Sequence, residues 1–596
     1  MTSHDGAGIG MSTEATSIGD ILLQSSRLET KGPLVDADMY MGSNHTDGRY
    51  QVTMQDSYLS SSDGIGFTAQ NTANLDVRLI DSELDLGDNG VIAQASAGSQ
   101  ISLSSQGTQL KGMTALDATP FNGYDNDYNP KLYNARLDLA LQDATWTMTG
   151  DSNLTDLTMN SGSAVQFQPG GAFKTLTIEG DLNGSGMFAM NTNLASEQGD
   201  LLQVLGSTNG SHTLFVADSG NEPSGPNGEL LVVDTNNDVK GGNGTFALHG
   251  QHVDAGAFRY TLEQQGDDWF LRNTALVPVQ PDDGPRLDPR PNTLSDGANA
   301  ALGNQSATAT LWSAEMNALV KRLGELRMGE DNGGVWARGI GKTFEVDNGS
   351  SRGYDQNVHG LEVGADTAIA LNGGKLYVGG MIGAATSDQD FGDGSSGTID
   401  SKLIGAYATW LDDNGYYVDT VAKYNRLDNE VKTLSNTGEQ VKGSYDTDGY
   451  GADVEVGKHI KLQDGWFIEP QAELTYTHTE GADYTASNGL NVEAADSDSL
   501  QGRVGALFGK SMKLDNGMTA QPYVKASYVH EFNGDSSVTV NGFELDNQVS
   551  GSRSEIGFGS VLQVSEKTKV SLDVEHAKGN SVEEPWAVNI GVRFLW

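Results

Sequence analysis

Hydrophobic and polar residues alternate along the C-terminal stretch of the chain. From Val588 onward every second residue is apolar, and the residues between them are polar or small except for Leu595. Successive side chains of a β-strand point to opposite faces, so the pattern predicts a strand with one apolar and one polar face. The apolar face carries Val588, Ile590, Val592, Phe594 and Trp596. This strand fits the wall of a barrel with a polar interior; the alternative is a buried strand of a β-sandwich.

The same alternation recurs along 333–596, where short turns and long polar segments follow each other. Turn signals at 372–374, 413–415, 464–465 and 515–517 each join two alternating stretches, as in β-hairpins. Together with the flanking stretches they predict about twelve strands, arranged as in a transmembrane barrel with lipid outside and water inside.

Charged residues occupy the polar faces of these strands. A sandwich could not bury so many charges, whereas a water-filled lumen accepts them. The predicted lumenal charges are Glu362, Asp366, Asp453, Glu455, Glu469, Glu473, Arg503, Lys525, Arg553, Glu555 and Arg593. Aromatic residues beside the turns predict a girdle at the membrane surface. They are Trp410, Tyr416, Tyr417, Trp466, Phe467 and Trp586.

The first part of the chain consists of short Thr-rich strands such as Thr175–Ile178, broken by Gly, Asn, Asp and Ser. Between about 140 and 180 such strands recur roughly every ten residues, which favours a stacked parallel β-helix over a sandwich. Strands in 181–272 are longer and more aromatic, as expected of a cap that closes the open end of a solenoid.

A linker and a helix connect the two parts. The linker segment 277–291 holds five of the 14 prolines of the chain. Further on, the spacing of five apolar residues predicts one apolar stripe of a helix. They are Trp312, Met316, Leu319, Leu323 and Leu326. The charges on its other faces fit a polar lumen; the alternative is a surface helix. The predicted domains are 1–180 (β-helix), 181–272 (cap), 273–306 (linker), 307–332 (helix) and 333–596 (barrel).

Composition excludes several functions. The chain has 596 residues, no Cys and a net charge of -44, which argues against nucleic-acid binding and removes zinc–thiolate sites. We find no P-loop, HExxH or Gly-x-Ser-x-Gly motif, and His249 and His252 alone are weak evidence for a metal. We therefore expect no cofactor and no metal. The N-terminus lacks the basic and apolar regions of a signal peptide, so we expect a longer precursor.

The segment Trp312–Arg327, followed by Gly333–Arg338, resembles the helix-to-strand junction of pertactin-type autotransporters. The stretch 181–272 resembles their autochaperone cap, and the terminal aromatic strand resembles the signature that the barrel-assembly machinery reads. The resemblance covers about 180–596. It implies an all-β fold in which a right-handed parallel β-helix passenger is followed by a lumenal α-helix and a 12-stranded transmembrane β-barrel.

The same resemblance implies type V secretion, with the barrel in the outer membrane and the passenger at the cell surface. The implied partners are outer-membrane lipid, the barrel-assembly machinery and an unidentified ligand on a host or neighbouring cell, with no nucleic acid. An adhesin or virulence-type interaction surface is one hypothesis for the passenger. The alternative is a secreted enzyme whose catalytic part lies outside this sequence.

One bond carries candidate chemistry. In related autotransporters an Asn in the lumenal helix attacks its own carbonyl carbon and releases the passenger. The resemblance places Asn317 in that role, with Ala318 where the toxin-type family has a second Asn. It implies a single-turnover self-cleavage rather than an enzyme; the alternative is that Asn317 is an ordinary polar residue of the helix.

Overall fold

The computed structural model describes residues 6–13, 18–39, 49–124, 129–224, 228–235, 242–273, 291–316, 326, 331–515 and 517–596. The chain forms two units, one of Met1–Ala255 with Tyr260–Thr274 and one of Gly256–Arg259 with Ala275–Trp596. Among the described residues, the helices are too short or too polar to cross a membrane.

Parallel sheets build the first unit. One sheet comprises Ile9–Thr13, Val35–Met39, Ile65–Gln70, Val91–Ala95 and Met113–Leu116. A second comprises Ile18–Gln24, Arg49–Gln55, Asn74–Ile80, Gln100–Gln106, Arg136–Gln142, Asp156–Met159 and Leu182–Gly184. The parallel strands of a third are Arg27–Thr30, Tyr58–Ser61, Glu83–Asp85, Gln109–Lys111, Thr145–Met148, Ala164–Phe167, Met187–Asn193, Ser211–Asp218 and Thr245–Leu248. The short strand Gln198–Gly199 pairs antiparallel with Met187–Asn193 of this sheet.

Each coil of this solenoid places equivalent residues above one another. Leu75 pairs in register with Tyr50 and Ile101, and all three side chains are buried. A coil takes roughly 25 residues here, as in other solenoids. This confirms the predicted β-helix. A short hairpin of Phe121–Tyr124 and Pro130–Tyr133 is inserted between two coils.

The C-terminal part of the first unit ends the parallel stacking. A seven-stranded sheet contains Ser152–Leu154, Thr175–Ile178, Leu201–Val204, Glu229–Asp234, Asp268–Arg272, Phe258–Gln265 and Val253–Ala255. Within it, Asp268–Arg272 pairs antiparallel with both of its neighbours, and a 3₁₀ turn forms at Leu194–Ser196. The sheets run past residue 180 without a break, so the boundary predicted there is not marked by the strands.

Twelve antiparallel strands form the barrel of the second unit. In chain order they are Gly333–Val346, Tyr354–Leu371, Gly374–Gly392, Ser395–Asp412, Tyr416–Leu434, Gln440–Lys458, Trp466–Thr479, Ser497–Lys510, Thr519–Asn533, Gly551–Ser565, Thr568–Gly579 and Val582–Leu595. The first strand pairs with the last, which closes the barrel and confirms the predicted strand number. Short extensions at Ile460–Lys461 and Met512–Lys513, and a 3₁₀ turn at Gln463–Gly465, lie at the short-turn end.

The two faces of the barrel wall differ as the alternation predicts. Leu361 and Val363 are 57% and 38% exposed on the outer face, whereas Glu362 between them is 1% exposed and faces the lumen. On the last strand, Ile590, Phe594 and Trp596 are exposed. Trp410, Tyr416, Trp466 and Trp586 of the predicted girdle are exposed as well.

Two members of the predicted girdle were placed wrongly. Tyr417 and Phe467 are buried in the lumen, because each directly follows an outward-facing aromatic residue on its strand. Each ring lies over a glycine of the neighbouring strand. A Cβ atom on Gly457 would stand 2.5 Å from the Tyr417 ring, and a Cβ atom on Gly509 would stand 2.5 Å from the Phe467 ring.

The helix begins earlier than predicted. It spans Asp296–Glu315, after a 3₁₀ turn at Pro291–Thr293, and Met316 is extended. The predicted helix 307–332 is therefore wrong in its start, and the predicted linker 273–306 includes helical residues. The Ser295 hydroxyl accepts a hydrogen bond from the Ala298 amide and caps the helix. The prediction relied on an apolar stripe, but this helix is buried on all sides.

Two long loops of the barrel form a small sheet of their own. Its four strands are Ala482–Thr485, Asn491–Ala494, Asp535–Val540 and Phe543–Gln548. Val492, Val538 and Val540 are buried there. This sheet, called the loop sheet below, contacts the helix.

Candidate functional site

The helix in the barrel lumen is the candidate site. It contacts barrel strands on several sides and the loop sheet, and most of its side chains are buried. Arg352, in the loop after the first strand, donates to the Leu294 carbonyl at 2.7 Å and pairs with Asp296 at 2.6 Å. The start of the helix therefore lies at the long-loop end of the barrel.

Amide and hydroxyl side chains fix the helix against the loop sheet. The Gln305 amide donates to the Ser537 carbonyl at 3.0 Å and to the Ser536 hydroxyl at 2.8 Å. The Ser306 hydroxyl lies 3.1 Å from the Asn547 side-chain oxygen. Since all these groups are at least half-buried, each hydrogen bond replaces one that water would make.

Farther along, the helix is fixed against the barrel wall. The Gln356 amide donates to the Ala307 carbonyl at 2.9 Å, and Thr310 contacts the Gln356 oxygen. The Trp312 indole donates to the Thr479 hydroxyl at 3.2 Å. These contacts bind the helix to opposite parts of the wall.

The end of the helix lies among buried charges. The Glu315 carbonyl accepts from the Lys423 ammonium at 2.5 Å and from the Arg338 guanidinium at 3.2 Å. Glu362 pairs with both cations, at 2.9 Å to Arg338 and 2.8 Å to Lys423. The Glu315 carboxylate also accepts from Asn425. The last helical turn is thus held by side chains of the first and fifth barrel strands, whose cations pair with Glu362 of the second strand.

The structure places every predicted lumenal charge in the interior; the most exposed, the Arg503 side chain, is 17% exposed. Arg503 pairs with Glu473 at 3.1 Å and with Glu555 at 3.4 Å, and Arg553 pairs with Glu555 at 3.2 Å. Arg553 also reaches the Ser313 hydroxyl of the helix at 3.3 Å. These residues form one connected group beside the helix.

The other predicted charges have separate partners. Glu469 lies 2.7 Å from the His459 ring, and Glu455 accepts from the Tyr417 hydroxyl. Asp453 accepts from the Thr475 hydroxyl at 2.6 Å. Lys525 pairs with Asp573 at 3.2 Å and also contacts Glu575.

Arg593 of the last strand joins distant parts of the barrel. Its guanidinium pairs with Asp366 of the second strand at 2.6 Å and with Asp331, just before the first strand, at 3.1 Å. Lys569 also pairs with Asp331, at 2.9 Å. This network, called the seam network below, spans the junction between the first and last strands.

Sequence reasoning missed several members of these groups. Arg338 and Lys423 alternate with outward-facing residues of their strands, so the alternation alone predicts that both side chains face the lumen. Asp331 belongs to no strand and gave no signal. The candidate cleavage residues Asn317 and Ala318 lie outside the described residues.

Comparisons with known proteins identify two families along the chain. Residues 335–575 match the family described as autotransporter beta-domain, and residues 143–273 match the family described as pertactin. The chain is 37% identical over 490 residues to the pertactin autotransporter of Bordetella bronchiseptica, covering 77% of this chain and 53% of that protein. It is 34% identical over 457 residues to the BrkA autotransporter of Bordetella pertussis, covering 76% of this chain and 43% of that protein.

The crystal structure of the beta domain of the Bordetella autotransporter BrkA is 31% identical, with a TM-score of 0.39, and covers 45% of this chain and 100% of that chain. The chain spans about half the length of the curated relatives it matches.

Proposed function

The chain belongs to the autotransporter family, and on that premise we propose that it displays its β-helical passenger at the cell surface as an adhesin-type interaction surface. The barrel resides in the outer membrane, with its apolar outer face in lipid. The barrel-assembly machinery and a ligand on a host or neighbouring cell are the proposed partners.

The route of the chain through the barrel carries this proposal. The helix starts at the long-loop end beside Arg352 and runs down the lumen. Asp331, just before the first strand, lies at the other end beside Arg593. Long loops face the cell exterior in such barrels. The start of the helix therefore lies at the external end of the barrel, where a passenger would be displayed.

The adhesin role is supported by the relatives of the chain and by the motifs of its sequence. The autotransporter adhesin/invasin TibA of Escherichia coli is 28% identical over 505 residues, covering 76% of this chain and 50% of that protein. No catalytic motif was recognised in the sequence, which favours an interaction surface over a secreted enzyme.

Display and adhesion can be tested together. The full chain is expressed behind an export signal in non-adherent Escherichia coli, and residues 291–596 alone serve as the control. We expect externally added protease to remove the passenger from whole cells, and we expect only the full chain to raise adherence to epithelial cells or cell–cell aggregation. A protease-resistant passenger would refute display. A displayed passenger without any gain in adherence or aggregation would refute the adhesin role.

We further propose that, after display, the passenger is released by self-cleavage at Asn317–Ala318. The side-chain amide nitrogen of Asn317 attacks its own backbone carbonyl, which closes a succinimide and breaks the bond to Ala318. The amide loses one proton and the new amine of Ala318 gains one. The proposal is supported by the buried charges that fix the Glu315 carbonyl, two residues before Asn317 in the sequence.

The Asn317→Asp variant tests this step, because a carboxylate is a poor nucleophile toward its own peptide bond. We expect release to fall by at least tenfold, while the barrel stays folded because Asn317 belongs to none of the barrel strands. Blots of outer membranes for the uncleaved chain measure release. Ala318→Ser, which keeps the attacking amide, is the control. Release of the Asn317→Asp variant at the wild-type rate would mean a different bond or an external protease.

A further inference from the structure

Two lysines on the outer face of the barrel lie over aromatic rings near the short-turn end. Tyr416 starts the fifth strand and stands directly opposite Lys458 of the sixth. Trp466 starts the seventh strand and stands directly opposite Lys510 of the eighth. The ammonium groups are 4.0 Å from the Tyr416 ring centroid and 5.1 Å from that of Trp466. The same arrangement thus occurs twice on neighbouring hairpins.

The rings beneath these lysines belong to the lipid-facing wall. Tyr416 is 50% exposed and Trp466 is 40% exposed. Trp466 stacks on Phe508, with centroids 5.1 Å apart and planes 15° apart. Val456, one step before Lys458 on the same face, is also exposed. The two lysines therefore lie where the apolar band meets the headgroup layer.

The charge surroundings of these lysines differ from those of outward cations at the long-loop end. There Lys402 pairs with Asp428 at 2.8 Å, Arg426 with Asp446 at 2.9 Å and Lys578 with Glu583 at 3.2 Å. Among the described residues, the contacts of the Lys458 and Lys510 ammonium groups are with the aromatic rings, and neither lysine forms an ion pair with a carboxylate. In a chain of net charge -44, Lys458 and Lys510 are thus cations that can meet an anionic partner.

We propose that Lys458 with Tyr416, and Lys510 with Trp466, bind the phosphate of phospholipid headgroups in the leaflet that faces the periplasm. Each ammonium contacts a phosphate, while the aromatic ring below orients the lysine stem and contacts the glycerol region. This inference rests on the placement of the barrel in the outer membrane and is independent of the passenger's role.

Lipid selectivity of the reconstituted full chain tests the proposal. The chain is placed in phosphatidylcholine vesicles containing a minority of spin-labelled phosphatidylglycerol, and electron paramagnetic resonance measures the immobilised label against labelled phosphatidylcholine. We expect the wild type to select phosphatidylglycerol. The K458Q/K510Q variant should lose roughly fivefold in affinity at each site at low salt.

The matched control is K402Q/K578Q, whose lysines are already neutralised by carboxylates and whose loss should leave selectivity unchanged. K458R/K510R keeps charge and ring contact and should retain selectivity. A difference between boiled and unboiled protein on gels verifies folding of each variant. Equal selectivity in the wild type and K458Q/K510Q would overturn the proposal. So would loss of wild-type selectivity on adding inorganic phosphate at constant ionic strength, since that would indicate a site for free phosphate.

Discussion

At the residue scale, Arg593 pairs with two carboxylates at the barrel seam. The residue is 2% exposed, and its partners Asp331 and Asp366 are 1% and 4% exposed. Buried carboxylates are tolerated only when a cation or hydrogen-bond donors compensate for lost hydration. Arg593 and Lys569 together supply that compensation.

Arg593→Met should therefore destabilise the barrel by about 3–5 kcal/mol, because it leaves Asp366 without its cation. The measurement is the temperature at which the folded band disappears from a gel of unboiled protein. Arg426→Met removes an ion pair whose arginine side chain is 53% exposed, and it should cost less than about 1 kcal/mol. Equal shifts for the two variants would contradict a special role for the seam network.

A second residue-scale feature lies in the passenger. His212 is 2% exposed and stacks on Phe246, with centroids 5.3 Å apart. Its Nε2 lies 3.3 Å from the Asn209 carbonyl, and its Nδ1 has no hydrogen-bond partner among the described residues. Burial lowers the pKa of His212 below its ordinary value of 6.5. The neutral imidazole is thus the form that fits the fold.

This lowered pKa makes passenger stability depend on pH. The unfolded chain takes up the proton more readily, so the contribution of neutral His212 is complete above pH 6.5 and is lost as the pH falls below it. We expect His212→Phe to flatten this decline, and His249→Phe, at an exposed site, is the matched control. The stability of the passenger at each pH is measured by unfolding the full chain in urea and detergent, with proteolysis reporting the unfolded fraction of the passenger. Parallel pH curves for wild type and His212→Phe would refute this account.

At the element scale, small residues let the helix fit within the lumen. A Cβ atom on Gly303 would stand 2.5 Å from the Phe391 ring, closer than side chains tolerate. Phe391 belongs to a buried cluster that includes Ala307, Leu311 and Tyr354. The helix and the wall are therefore complementary in shape at this level.

In the uncleaved chain, Gly303→Val should displace the helix from the wall and raise the ion conductance of the barrel in planar bilayers. We expect the double variant Gly303→Val/Phe391→Ala to restore low conductance, because the second change removes the clashing ring. Gly339→Ala is the control, since a Cβ there meets nothing within 4 Å. If Gly303→Val conducts like the wild type, the helix can shift without opening the lumen.

At the scale of the whole molecule, the last strand closes the barrel. Phe594 pairs with Val335 of the first strand and with Thr568 of the eleventh, and Leu595 pairs with Gly334. A closed barrel leaves no unpaired strand edge in lipid, where such an edge is very costly. The terminal residues also supply part of the outward apolar face.

Deleting Phe594 to Trp596 should therefore block insertion into the outer membrane. Surface passenger and the heat-modifiable band should both fall to less than a tenth of their wild-type levels. Phe594→Leu, which keeps the strand and an apolar outward side chain, should insert normally. Wild-type surface levels after the deletion would show that strand closure and assembly do not need these residues.

The sequence by itself determined the strands, their faces and the number of barrel strands. These features follow from a local rule, because neighbouring side chains of a strand always point to opposite faces. Glu362 between Leu361 and Val363 could thus be placed inside without knowing its partners. The same rule, applied consistently, would have placed Tyr417 and Phe467 inside as well.

Only the tertiary structure decided the extent of the helix and the partners of the lumenal charges. A helix enclosed by a polar lumen needs no apolar stripe, so the small and polar residues after Asp296 carried no periodic signal. Gln305 finds the Ser537 carbonyl 232 residues away along the chain, and Arg593 reaches Asp331 across 262 residues. Such pairings depend on barrel closure, which brings together residues that no local pattern connects.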